Sequence, residues 1–406
     1  MIKVNKPKIR FKNFNDSWSL RKLSDTQTDF KDGNYGEAYP KETDLTSSTQ
    51  GVPFLRGSDL DNGKLTLTNA RYITQSKHNE LISGHLIEDD IVIAVRGSLG
   101  SLGYVGPDNE GWNINSQLAI IRTRKIEIIG NYLIQFLLSN RGGKEISSHI
   151  TGTALKQLPI KQLKSIKIPI PTLTEQQAIG SLFRTLDTLL ASYKDNLVNY
   201  QSLKATMLSK MFPKAGQTVP EIRLDGFEGE WEEKQFSKLV KRVTQSSDSD
   251  SLPKVEFEDI ISGQGRLNKD ISSKFDNRKG IHFKPGYTLY GKLRPYLNNW
   301  LLPKFEGVAL GDFWVFDPNG NDSNFIYYLV QSNRYQKVAN DTSGTKMPRS
   351  DWKSVSSTIF AIPQTVAEQQ AIGAYFSNLD NLINSHQEKI SQLETLKKKL
   401  LQDMFI

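Results

Sequence analysis

Arg96, Ser98, Asn113, Asn115 and Gln117 fall within one short stretch, with Arg56 before it and Lys156 after it. A second set follows far downstream: Lys292, Arg294, Tyr296, Asn298, Asn299 and Trp300, then Lys346 and Arg349. Side chains of these types suit contact with a nucleic acid. Arg and Lys bind guanine edges or phosphate, and Asn and Gln match the donor–acceptor pair of adenine. Taken singly, each is equally an exposed loop side chain. The clustering is what points to a binding face.

Other chemistry is poorly provided for. With no cysteine, disulfides, thiolate catalysis and Cys-ligated zinc are excluded. Five histidines lie apart in sequence, so no His-based metal site is expected. Gly97, Gly100 and Gly103 lack the Lys-Ser/Thr of a phosphate-gripping loop and read as turns. No amino-methyltransferase, HExxH, GxSxG or EF-hand pattern occurs. The acidic runs Glu88-Asp89-Asp90 and Glu256-x-Glu258-Asp259 could be taken for Mg²⁺ ligands, but solvated surface is the favoured reading. No catalytic residue and no metal ligand is assigned.

The bulk properties agree. The chain has 406 residues and a net charge of +8, with the basic excess mostly in its first 170 residues. That charge suits a polyanion, although a merely soluble basic protein would also show it. No apolar run is long enough for a membrane span, and no apolar run follows the basic start as a secretory signal would require. A cytoplasmic location is expected.

The elements that must position these residues are written twice. TLTEQQAIGSLFRTLDTLLASYKDNLVNYQSLKATMLSKMF begins at Thr172, and TVAEQQAIGAYFSNLDNLINSHQEKISQLETLKKKLLQDMF begins at Thr365, aligned without a gap. Openers also recur: PKIRFKNFNDSW from Pro7 and PEIRLDGFEGEW from Pro220. So, more loosely, do TGTALKQL from Thr151 and SGTKMPRSDW from Ser343. The predicted order is opener, variable mixed α/β body, Gly-Thr loop and long helix, then the same again.

Thr172-x-x-Glu175 and Thr365-x-x-Glu368 have the spacing of a capping box, with Leu173 and Val366 first in each helix. Apolar residues then step by three and four, a heptad seam. In the first helix these are Phe183, Leu186, Leu190, Tyr193, Leu197, Tyr200, Met207 and Met211. In the second they are Phe376, Leu379, Ile383, His386, Ile390, Leu393, Leu400 and Met404. Lys204 and Lys397 interrupt the seam at the same point, either fixing register or snorkelling from its edge. Two such helices should pair with each other. About 39 residues at 1.5 Å per residue give a rod of about 58 Å, or about 17 base pairs of B-DNA. A coiled coil serving only oligomerisation is the alternative for the helices alone.

In the bodies, Val52 to Leu60 leads to an Asn62-Gly63 turn, and Asp89 to Val95 reads as a buried strand. Asn131 to Leu138 reads as a short amphipathic helix. In the second body, Gly286 to Leu302 and Gly307 to Phe316 read as strands, with a helix over Ser323 to Val338.

A duplicated Trp-ended opener, a variable body, a Gly-Thr loop and an EQQAIG helix together resemble the specificity (S) subunits of type I restriction-modification systems, over nearly the whole chain. The resemblance implies two similar target recognition domains, 1–167 and 213–361, separated by two long antiparallel coiled-coil helices, 168–212 and 362–406, in a pseudo-two-fold repeat. It implies that each domain reads half of a bipartite site in double-stranded DNA while the helices set the spacing. Two methyltransferase (M) subunits would dock on the chain, and motor-nuclease (R) subunits would join the full complex. S-adenosylmethionine, ATP and Mg²⁺ would belong to those partners, with no cofactor here. The competing reading is a self-contained bipartite-site methyltransferase or nuclease, which the missing motifs disfavour.

Overall fold

The computed structural model describes residues 7–272, 277–341 and 347–405. It divides into two compact units, Met1–Ser192 with Ile390–Ile406, and Tyr193–Lys389. This division cuts across the linear boundaries at 167, 212 and 361. Each unit takes part of both long helices, Leu173–Lys210 and Val366–Asp403.

In the first unit the opener strand Ser19–Lys22 pairs antiparallel with Lys167–Ile170, so the entry and exit of the body lie side by side. Between them stand two four-stranded sheets. One is wholly antiparallel: Asp29–Asp32, Leu118–Arg122, Ile91–Ala94 and Leu102–Tyr104. The other contains the parallel pairing of Asn113–Ile114 with Val52–Leu55. The second unit repeats the plan. Glu232–Gln235 pairs with Ile359–Ile362, and Thr288–Gly291 lies between Phe313–Asp317 and Trp300–Leu301 in an antiparallel sheet. Lys254–Val255 runs parallel to Gly307–Ala309 in the other. The Asn62-Gly63 turn closes a hairpin, both residues having positive φ (46° and 86°) as a two-residue hairpin turn requires.

Three expectations change. The helix Gly130–Leu138 is not amphipathic, since Gly130 to Leu137 are all buried. One side meets the long helix, where Asn131 Nδ2 donates to Gly180 O at 3.1 Å. Its first amides are capped from outside by Asp89, whose carboxylate accepts Gly130 N and Asn131 N at 2.9 and 3.1 Å. The expected helix Ser323 to Val338 is two, Ser323–Leu329 and Asn333–Ala339. Ser332 caps the second, as Ser139 caps Asn140–Ser148 in the first unit, because a serine hydroxyl serves a free helix amide. The acidic runs are solvated only in part: Glu88 and Glu258 are exposed, but the aspartates are not. Asp90 is buried and receives Arg122 through two bonds of 2.7 and 2.6 Å, and buried Asp259 meets Lys269 at 2.8 Å. Among the described residues no cluster of three His, Asp or Glu could hold a metal, although the His78 and His85 rings lie 4.7 Å apart.

The repeated EQQAIG words hold each body on its helix. Thr172 and Thr365 cap the helices, accepting Glu175 N and Glu368 N at 3.4 and 3.3 Å. The return half of a capping box is replaced: Arg10 binds both carboxylate oxygens of Glu175 at 2.7 Å, and Trp18 Nε1 donates to it at 3.0 Å. Arg223 and Trp231 treat Glu368 the same way. Thus the opener's Arg and Trp recur because the helix's Glu does. Gln176 Oε1 accepts Ile129 N, and Gln369 Oε1 accepts Asp322 N, each at the start of a body helix. Gly373 admits no side chain, since a Cβ there would meet Asn324 and Asp322 at 2.7 Å.

The far ends of the helices act as plugs. In the first unit Phe405 packs on Trp18, Tyr132, Phe136 and Phe183. In the second, Phe212 packs on Phe325 and stacks on Phe376. Each body is therefore held by the start of one long helix and the end of the other, and the two segments in each unit run antiparallel. Along the seam, Phe183, Leu186, Leu190, Phe376, Leu379, Ile383 and Leu393 are buried, and Leu197, Tyr200, Met207, Ile390 and Leu400 are half-buried.

The seam lysines do not snorkel. Lys397 Nζ lies 2.5 Å from Asp187, and Lys204 Nζ 2.7 Å from Asp380, a reciprocal use of the repeated Leu-Asp. Lys204 also donates to Gln331 Oε1, and Tyr328 OH donates to Asp380. Asp380→Ala should therefore cost more than Lys204→Met with Asp380→Leu together. A thermal-denaturation cycle should return a coupling of roughly 1–3 kcal/mol.

Candidate nucleic-acid interface

In each unit three separate segments are stitched into one surface. In the first, Val95 N and Arg96 N donate to Gln117 O at 2.8 and 3.2 Å, and Leu158 N donates to Val95 O at 3.0 Å. This joins the turn after Ile91–Ala94, the turn before Leu118–Arg122 and the Gly-Thr loop. Gly97 and Gly100, with φ of 70° and 80°, make the first turn. Gly103 does not turn. It sits in the strand Leu102–Tyr104, where a Cβ would strike Leu65.

The exposed side chains brought together are Arg96, Ser98, Gln117 and Lys156. Arg96 is braced rather than loose. Its guanidinium lies 5.2 Å from the Tyr35 ring centre, and Nη1 donates to Tyr35 OH and Ser116 O at 3.0 and 2.9 Å. Tyr35, absent from the sequence-based set, enters because Asp29–Asp32 pairs with Leu118–Arg122. Burial raises the Asp32 carboxyl above its ordinary range, and nearby Arg96 opposes the rise.

The second unit makes the same stitch. Lys292 N donates to Asp312 O, Ser350 N to Lys292 O, and Arg294 N to Pro348 O, at 2.9, 2.8 and 2.7 Å. Asp312 holds two cations, Arg349 Nη2 at 2.9 Å and Lys292 Nζ at 3.5 Å. Partial burial pushes its carboxyl up, but Arg349 and Lys292 outweigh that and hold it below the ordinary range. Arg294 and Asn298 adopt positive φ (48° and 55°) on either side of the short turn Pro295–Leu297. Tyr296, 58% exposed, stands on that turn.

Several proposed contacts are misplaced. Asn113 is fully buried in the strand beside Val52–Leu55, and Asn115 is buried with Oδ1 accepting Gln117 N at 2.9 Å. Asn299 and Trp300 are buried at the return strand, where Asn299 O accepts Gly291 N. These residues shape the loops and face no solvent from which a base edge could approach. Arg56 is half-buried and occupied by Asp59 and the Asn69 carbonyl, although its neighbour Gly57 lies against Ser98. Lys346 lies outside the described residues.

The fold defines a class: a protein built from two copies of one body-and-helix plan, each presenting a three-segment surface of cations and amides. Comparison with known proteins is specific. Residues 17–199 and 253–395 match the sequence model of the type I restriction modification DNA specificity domain, and the chain belongs to that family.

A putative type I restriction enzyme specificity subunit, MjaX, from Methanocaldococcus jannaschii is 23% identical over 95% of this chain and 92% of its own length. The StySPI specificity subunit of Salmonella potsdam is 29% identical over 43% of this chain and 37% of its own. The crystal structure of the type I restriction-modification S subunit from M. genitalium shares the fold. Its TM-score is 0.64 at 15% identity, and 99% of both chains is covered.

Proposed function

We propose that this chain is the DNA-reading subunit of a type I restriction-modification complex and performs no bond chemistry itself. Each unit reads one half of a bipartite site in duplex DNA. Methyltransferase subunits dock on the chain and bring S-adenosylmethionine, and motor-nuclease subunits bring ATP and Mg²⁺. The observation that carries this reading is the doubled three-segment surface, with Arg96, Gln117 and Lys156 in one unit and Lys292, Arg294 and Arg349 in the other. Bound phosphates release counterions, so affinity for duplex DNA should fall steeply with salt. Among the described residues no helix is long and apolar enough to cross a membrane.

The test is methyl transfer to duplex DNA by the purified chain, alone and with its methyltransferase subunits. Activity by the chain alone would sink the adaptor reading. In binding titrations across salt concentrations, Lys156→Ala should reduce the slope of log affinity against log salt by about 1. Arg96→Ala should cost about 1–3 kcal/mol and relax discrimination at one base pair of one half-site.

A further inference from the structure

The Gly-Thr loop of the first unit carries a side chain that this surface of cations and amides leaves unused. Its ends are tied, since Thr151 N donates to Gln157 O and Gln157 N to Thr151 O, both at 2.9 Å. Gly152 has φ of 91°, and a Cβ there would come within 2.4 Å of the Leu155 carbonyl oxygen. Only glycine suits that turn. The turn holds Leu155 outward, 82% exposed, next to Lys156. Leu158, fully buried, anchors the loop beside Arg96.

Aligning Thr151-Gly152-Thr153 with Ser343-Gly344-Thr345 puts Met347 in the place of Leu155. Met347 is 49% exposed and stands two residues before Arg349, whose own segment is stitched to Lys292. The two bodies differ through most of their length, yet both set a long apolar side chain in water beside a cation at this one position. Leaving it there forgoes burial free energy, and in the first unit the restrained turn at Gly152 keeps Leu155 from folding back. The flanking cations fit a polyanion. On DNA an apolar side chain gains nothing from phosphate; it packs on deoxyribose carbons or on bases, and the bases offer the thymine methyl and an exposed base face.

We propose that Leu155 and Met347 are base-contacting residues, each packing on an apolar base edge within the half-site read by its unit. This rests on the DNA-reading function above. The probe is a fluorescein-labelled duplex bearing the site mapped by methylation sequencing. It is titrated with the chain co-purified with its methyltransferase subunits, at several KCl concentrations.

Leu155→Ala should weaken binding about tenfold at every salt concentration. The salt slope should not change, because an apolar contact releases no counterions. Leu155→Met should keep most of the affinity, and the melting temperature should not move, since the side chain is solvent-exposed. Met347→Ala should behave like Leu155→Ala. Parental affinity in Leu155→Ala, a reduced salt slope, or poorer recovery of the methyltransferase subunits would each overturn the inference. A parent complex that does not bind the duplex would overturn the DNA-reading function with it.

Discussion

Glu175→Ala should lower the stability of the first unit by about 3–5 kcal/mol, the usual cost of removing one partner from a buried ion pair. Glu175 is fully buried, and Arg10 is only 11% exposed. Alanine would leave the guanidinium without its carboxylate and Trp18 Nε1 without its acceptor. It would also open a cavity where the opener meets the helix. Glutamine keeps the shape and one acceptor, so Glu175→Gln should cost less. The check is denaturant unfolding of the full chain followed by tryptophan fluorescence. The transition of the first unit should shift and that of the second should stay. Glu368→Ala should do the reverse, through Arg223 and Trp231. Equal shifts of both transitions by either variant would contradict the separate clamping of each body.

Exchange of residues 20–160 for the corresponding body of another family member should replace one half-site completely and leave the other unaltered. The exchange keeps Arg10 and Trp18 on one side and the EQQAIG helix on the other, so the clamp to Glu175 survives. It removes Arg96, Gln117, Leu155 and Lys156 together, the surface proposed to read DNA in the first unit. Methylome sequencing of a host carrying the exchanged chain and its partners reads the result directly. A change in the second half-site would break the modular account.

Much of this architecture was legible because the repeat is literal. A word used twice at the same point must meet the same physical demand twice, so the long helices, their heptad seam and their first residues followed from spacing. The reasons for the words did not follow. Thr-x-x-Glu has the spacing of a capping box, and nothing local distinguishes that from a glutamate reserved for Arg10, more than 150 residues earlier. The seam lysines looked like edge residues because their partners, Asp187 and Asp380, lie on the opposite helix. Periodicity reports the face a residue occupies and never the residue across from it.

The candidate interface divides the same way. Arg96, Gln117, Lys156 and Arg349 combine type and exposure, and exposure in a turn can be inferred from flanking glycines. Asn113, Asn115 and Asn299 match the chemistry of base reading equally well, yet they are buried: Asn113, Ile114 and Asn115 are covered in succession, as are Asn299, Trp300 and Leu301, because segments distant in the chain pack on both faces of these short strands. Tyr35 braces Arg96, and Asp312 holds Lys292 and Arg349, and no pattern marked either. Both reach the surface only through sheet pairing.

The amino-acid order alone determined that this chain is a doubled unit of body and helix, since repetition and heptad period are properties of order that no packing can create or erase. The tertiary structure alone decided which charges are spent inside the protein and which remain for a ligand. A charge is free only when every neighbour within reach is known, and those neighbours are supplied by segments distant in the chain.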